Sequence, residues 1–176
     1  MSPVLHLATV GPHDTQAVAA SIAPLCVPGD MVLLSGDLGA GKTTFAQGFG
    51  AALGVSEVMT SPTFTLVRQY AVGDGARGGE GRGGIGTLLH ADVYRLDNLS
   101  EIIDLGLGEL VEDAAVALVE WGDVAEPVLG DGSLAIEFTA GEDDDHRLVS
   151  VRPIGEAWSA RWATLSDSLA RWAVAA

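Results

Sequence analysis

Residues 36–44 read GDLGAGKTT. Gly36, Gly41, Lys42 and Thr43 fill the pattern G-x-x-x-x-G-K-[ST], and Gly39 adds a further residue without a Cβ. A loop of this composition turns its backbone N–H groups inward and, with the N-terminus of the helix that follows, forms a concave anion site. Its lysine addresses the β- and γ-phosphates of a nucleotide, and its Ser/Thr hydroxyl is a ligand for Mg²⁺. The flanks carry the required context. Residues 31–35, MVLLS, are a short apolar run, and residues 42–53 place Phe45, Phe49 and Leu53 on one helical face. Strand, loop and helix in that order make the pattern a P-loop.

Working outward, TFTLVRQY (63–70), TLLHADVYRL (87–96) and AAVALVEW (114–121) read as strands. The last is apolar up to Glu120, as expected of a central strand covered on both faces. A helix is expected from Asn98, whose side chain caps it while Glu101 completes a capping box, with Ile102, Ile103, Leu105 and Leu107 supplying apolar surface. SLAIEFT (133–139) and RLVSVRPI (147–154) alternate with period two around AGEDDDH and read as an antiparallel hairpin. Asp143, Asp144 and Asp145 at its tip lack EF-hand spacing and read as a solvated loop. Trp158, Trp162, Leu165, Leu169 and Trp172 fall at helical spacing and form a packing face that docks on the sheet. The fold class is α/β: a three-layer P-loop NTPase-like domain with a mainly parallel central sheet and an antiparallel hairpin near the C-terminus.

The 176 residues read as one domain, with residues 72–86, VGDGARGGEGRGGIG, as a flexible Gly-rich loop between two strands. A mobile lid bringing Arg77 or Arg82 to a nucleotide is the sharper alternative. Cys26 is the single cysteine and is expected to be a small buried thiol without chemistry. No targeting segment or membrane-length apolar run is evident, so a cytoplasmic protein without a membrane partner is expected. Nine Lys and Arg against 24 Asp and Glu give a formal charge of −15, which disfavours direct, tight binding to a nucleic-acid backbone. Lys42 is the only lysine in the chain and is expected to face solvent in the absence of nucleotide.

Glu120 closes the apolar run VALV at the C-terminal end of its strand, where open α/β sheets bind ligands, and is the candidate Walker-B-type acid holding Mg²⁺ with Thr43. Asp92 in HADVYR is a second candidate, for orienting water or the metal shell, although alternation alone would also place it on a solvent face.

Four segments in order, GDLGAGKTTFAQGFG (36–50), SPTFTLV (61–67), HADVYRL (90–96) and VEWGD (119–123), resemble the TsaE family, formerly YjeE, of ATPases in tRNA threonylcarbamoyladenosine biosynthesis. The resemblance spans roughly residues 10–140. It implies that Gly39, Ala40, Gly41, Lys42, Thr43 and Thr44 hold the phosphates of ATP, and that Thr43 and Glu120 hold Mg²⁺. It further implies that Ser61, Pro62 and Thr63 form a switch-like loop whose Thr63 positions the γ-phosphate side. Asp92 would act with His90, Tyr94 and Arg95, while Thr15 and Asp123 would lie at the nucleoside end. The implied partners are TsaB and TsaD, with tRNA engaged only indirectly through them. Gly122, after Trp121, departs from the proline common in the family.

Two rival readings share the P-loop. A small-molecule or nucleotide kinase would need an acceptor pocket, which no motif marks, and a GTPase would ordinarily carry N-K-x-D, for which no lysine remains. A nucleotide-gated binding subunit, in which hydrolysis matters little, overlaps with the main reading.

Overall fold

Three successive buried residues, Val32, Leu33 and Leu34, explain the centre of the molecule: a strand so apolar must be covered on both faces. The computed structural model describes residues 2–73 and 82–175. In chain order the elements are β1 (Leu5–Thr9), α1 (Pro12–Ile22), β2 (Met31–Ser35), α2 (Lys42–Leu53), β3 (Val67–Ala71) and β4 (Thr87–Asp92). Then follow α3 (Leu99–Asp104), α4 (Leu107–Glu112), β5 (Ala115–Glu120), α5 (Gly122–Leu129), β6 (Leu134–Ala140), β7 (Arg147–Pro153) and α6 (Glu156–Leu169). The seven strands form one sheet in the order β1-β7-β6-β2-β5-β4-β3. The central four, β6, β2, β5 and β4, are parallel, and the flanking pairings are antiparallel. The expected α/β class, the parallel centre and the C-terminal hairpin are all present.

Alternation along the parallel strands divides the core in two. Val32, Leu34, Leu88, Val116 and Leu118 face α1, α2 and α6, where Phe45, Phe49, Phe138 and Trp158 fill the layer. Leu33, Leu89, Ala91, Ala117 and Val119 face α3, α4 and α5 through Ile102, Val111 and Ala125. Both layers lock the same strands, so the sheet's carboxyl edge, where β2 runs into residues 36–41, is a rigid platform. Beyond β2 on the second face, Ala135, Glu137, Ser150, Arg152 and His6 line an open cleft of about 530 Å³.

Several boundaries differ from the sequence reading. The strand expected from Thr63 begins at Val67, because Thr63–Thr65 form a turn closed by Leu66 N–H donating to the Pro62 carbonyl, with Leu66 at φ 64°. The strand expected to run to Leu96 ends at Asp92, whose carboxylate accepts the Tyr94 N–H at 2.9 Å and turns the chain. Asn98 caps α3 as expected, accepting the Glu101 N–H at 3.1 Å, but Glu101 reaches back to the N–H of Asp97 instead of Asn98. The expected single helix breaks at Gly106, φ 65°, into α3 and α4. β1 and α1 have no counterpart in the sequence reading.

Cys26 is buried and its thiol pKa is pushed far upward by burial, which keeps it unreactive. Asp143, Asp144 and Asp145 are exposed. Most of the Gly-rich segment, including Arg77 and Glu80, lies outside the described residues. At its flanks Val72 and Ile85 are buried in the core. Among the described residues no helix is long and apolar enough to cross a membrane.

Candidate functional site

Each conformational demand of residues 36–41 falls on a glycine. Gly36 sits at φ 137°, Gly39 at 78° and Gly41 at 111°, and a Cβ on Gly36 would meet the Phe138 carbonyl oxygen at 2.5 Å. The loop then enters α2 at Lys42, with the Phe45 N–H bonding the Gly41 carbonyl. Gly39, Gly41, Lys42, Thr43 and Thr44 line a cavity of about 410 Å³ with Thr63, Asp92 and Glu120 opposite them. Leu38, Ser61, Tyr94 and Trp121 complete its walls.

Glu120 ends β5 beside β2, and in register with Asp92 at the end of β4. The residue is 4% exposed. The Thr43 hydroxyl donates to Glu120 Oε1 at 2.9 Å, and His90 Nε2 lies 2.8 Å from the same oxygen. A carboxylate and a hydroxyl are hard oxygen donors of the type that Mg²⁺ takes. Asp92 is buried, 3% exposed, so the solvent-facing placement that alternation allowed is not what the chain adopts. Its Oδ2 accepts the Thr63 hydroxyl at 3.0 Å, and the Thr63 and Ser61 oxygens are 2.7 Å apart. The SPT turn and the HAD strand are thereby tied together at the mouth of the cavity.

Lys42 does not face solvent as the sequence reading expected. Its residue is 5% exposed, its Nζ donates to the Gly36 and Asp37 carbonyls at 2.6 and 2.9 Å, and it lies 4.2 Å above the Trp121 ring. The flexible stem folds over the aromatic face because a desolvated ammonium needs acceptors and a π surface. Burial pushes its pKa below the ordinary lysine value, while Glu120, Asp92, Asp123 and Asp37 pull it back up.

Six expected residues, Thr15, Ala40, Pro62, His90, Arg95 and Asp123, are not among those that line this cavity. Ala40 packs into the core beneath the loop. Thr15 is buried in α1, its hydroxyl 3.1 Å from that of Thr9 and its methyl beneath Gly41. Asp123 opens α5, its N–H donating to the Ser35 hydroxyl at 2.9 Å, and lines the neighbouring 530 Å³ cleft with Ser35 and Asp37. Arg95 stacks over Phe64 at 4.7 Å.

Two features escaped the sequence reading. Trp121 adopts φ 61° and stacks with Tyr94 at 4.7 Å, forming the floor on which Lys42 rests. Arg147, from the start of β7, donates to the Ala40 carbonyl at 2.9 Å and the Gly39 carbonyl at 3.3 Å, bracing the loop from outside. No local signal marks Arg147, which is 107 residues from Ala40. Gly122 also has a structural reason: a Cβ there would come within 2.5 Å of the Leu33 Cβ, so α5 packs on β2 without a side chain between them.

A family model described as "Threonylcarbamoyl adenosine biosynthesis protein TsaE" matches residues 9–149. The tRNA threonylcarbamoyladenosine biosynthesis protein TsaE of Bacillus subtilis is 38% identical over 163 residues, covering 93% of this chain and 92% of that one. The protein of the same name from Streptomyces coelicolor is 40% identical, covering 84% and 93%. The crystal structure of Bacillus subtilis YdiB superposes with a TM-score of 0.68 at 32% identity, covering 97% of both chains.

Proposed function

The chain belongs to the TsaE family, and from that premise we propose that it is the Mg²⁺-dependent ATPase that supports threonylcarbamoyladenosine (t6A) modification of tRNA, working with TsaB and TsaD. The observation that carries the reading is the meeting of Thr43 and Glu120, 77 residues apart in sequence and 2.9 Å apart in space, at the mouth of a glycine-built anion cradle. Phosphate-binding loop and metal-binding acid are the two halves of a P-loop hydrolase.

In this reading Gly39 to Thr44 cradle the phosphates with backbone N–H groups, and Lys42 leaves its own loop carbonyls for the β- and γ-phosphates. Thr43 and Glu120 hold Mg²⁺, which when bound neutralises charge on the β- and γ-oxygens. Asp92 accepts the Thr63 hydroxyl proton in a hydrogen bond and so fixes that hydroxyl toward the γ-phosphate side. Asp123 serves the nucleoside end from the neighbouring cleft, with Thr15 behind Gly41 of the loop. Trp121 and Tyr94 shield the site from water. No arginine lines the cavity among the described residues, which supports slow hydrolysis by the protein alone. Supply of the missing charge or alignment by partners is worth about 10³–10⁵ in rate in comparable systems. The charge of −15 fits a subunit that meets tRNA only through TsaB and TsaD in the cytoplasm.

The test is steady-state phosphate release from Mg·ATP by the purified protein, alone and then with TsaB, TsaD and substrate tRNA from the same organism. Strong stimulation is expected. A partner-indifferent rate, or turnover that appears only with a small-molecule acceptor, would replace this reading with a kinase.

A further inference from the structure

Leu88, His90 and Asp92 share one face of β4, which passes from core to site along its length. Leu88 belongs to the core and Asp92 lines the cavity. His90, between them, is fully buried, and it is flanked in sequence by Leu89 and Ala91, which are buried too. Its Nδ1 has no hydrogen-bond partner among the described residues, while its Nε2 lies 2.8 Å from Glu120 Oε1.

A buried polar atom without a partner costs stability, and an apolar residue would suit this stretch of strand better on packing grounds alone. What the imidazole supplies is one donor directed at one oxygen. A carboxylate accepts and does not donate, so the nitrogen facing Glu120 is the protonated one. Thr43 donates to that same Oε1, and no hydrogen bond to Oε2 is formed among the described residues. Two donors, one from α2 and one from β4, thus pin one oxygen and leave the other for the cavity.

We infer that His90 is a positioning residue for the metal site, its Nε2–H locking the rotamer of Glu120 so that the second carboxylate oxygen is presented to Mg²⁺. This rests on the assignment of Thr43 and Glu120 as the metal ligands. Residues behind a ligand commonly matter to metal affinity by about 10–100-fold.

Calorimetric titration of ADP into the full chain, with Mg²⁺ and separately in EDTA, tests it in wild type, His90→Gln and His90→Asn. Both substitutions are uncharged amides, but only the glutamine NH₂ reaches the place of Nε2. The Mg²⁺-dependent gain in affinity is expected to fall about 10–100-fold in His90→Asn and to be largely restored in His90→Gln, with the EDTA affinity unchanged in both. Equal losses with and without Mg²⁺, or a glutamine variant as impaired as the asparagine one, would assign His90 a merely structural role. A wild-type affinity that ignores Mg²⁺ would instead remove the metal assignment itself. Long-range ¹⁵N–¹H correlation on the wild-type chain needs no substitution: a proton on Nε2 is required, and protonation at Nδ1 alone would overturn the inference.

Discussion

Two acids, one just before β2 and one at the carboxyl end of the neighbouring β5, are each 4% exposed and are treated in opposite ways. Asp30, just before the strand, receives a two-pronged guanidinium: Arg161 donates to Oδ2 at 2.6 Å and to Oδ1 at 2.8 Å, and the Val27 N–H adds a third bond at 2.8 Å. The same Arg161 stacks over Trp158 at 3.9 Å and bonds the Leu25 carbonyl, tying α6 to the bottom of the sheet. Glu120, at the carboxyl end of β5, has a hydroxyl and an imidazole, both on one oxygen, while the only lysine of the chain donates to loop carbonyls. Asp30 is compensated in full by its own chain. Glu120 is not, and it faces a cavity. The difference is the one the proposed function requires, between a carboxylate that holds the fold together and one left to meet a ligand.

Arg161→Met should have the largest effect on stability. Removing one partner from a buried pair costs about 3–5 kcal/mol, and we expect that loss in the unfolding free energy from urea denaturation, with ADP affinity unchanged under native conditions. A fall in nucleotide affinity with no loss of stability would break the contrast from the structural side. Lys42→Ala should act in the reverse sense. Nucleotide affinity by calorimetry should drop by the worth of a charge-assisted contact, about 1.5–3 kcal/mol or more, while the fold is retained. Unchanged ATP affinity would remove the P-loop assignment. Asn98→Ala, remote in role from both acids, should cost about 1 kcal/mol of stability by loss of the α3 cap and leave nucleotide binding alone. The smallest effect belongs to Arg152→Ala. Its pair with Glu126 is geometrically good, at 2.9 Å, but the two side chains are 39% and 36% exposed. About 0.2–1 kcal/mol is expected in the same denaturation assay, and a loss as large as that of Arg161→Met would show that burial is not what separates the pairs.

How far the sequence reaches follows the same division between local and distant. The β2–loop–α2 unit was legible because a strand, three glycines free to take positive φ and an amphipathic helix are contiguous, and each makes a local demand. β5 was legible because the apolar run of residues 114–119 closes on a single acid, the pattern of a short strand covered on both faces. The turns at Thr63–Leu66 and Asp92–Tyr94 were not, since β-branched and aromatic residues there favour a strand while backbone and carboxylate hydrogen bonds bend the chain. β1 is stabilised by pairing with β7, more than 130 residues away, which local pattern cannot register. In the site, Lys42, Thr43 and Glu120 were readable from position. The burial of Lys42 over Trp121, the bracing of the loop by Arg147 and the two donors on one oxygen of Glu120 depend on contacts between segments that only the folded chain brings together.

Glu120→Gln probes the central contrast most directly, because glutamine keeps an oxygen to accept from Thr43 and His90 while removing the charge. Phosphate release from Mg·ATP in the presence of TsaB, TsaD and tRNA should be measured beside the urea midpoint of the variant alone. The rate is expected to fall by about 10²-fold or more, the scale for loss of one preorganised charge-stabilising group, with the midpoint unchanged or raised. A lowered midpoint with the rate preserved would instead make Glu120 a second Asp30, a carboxylate that serves the fold.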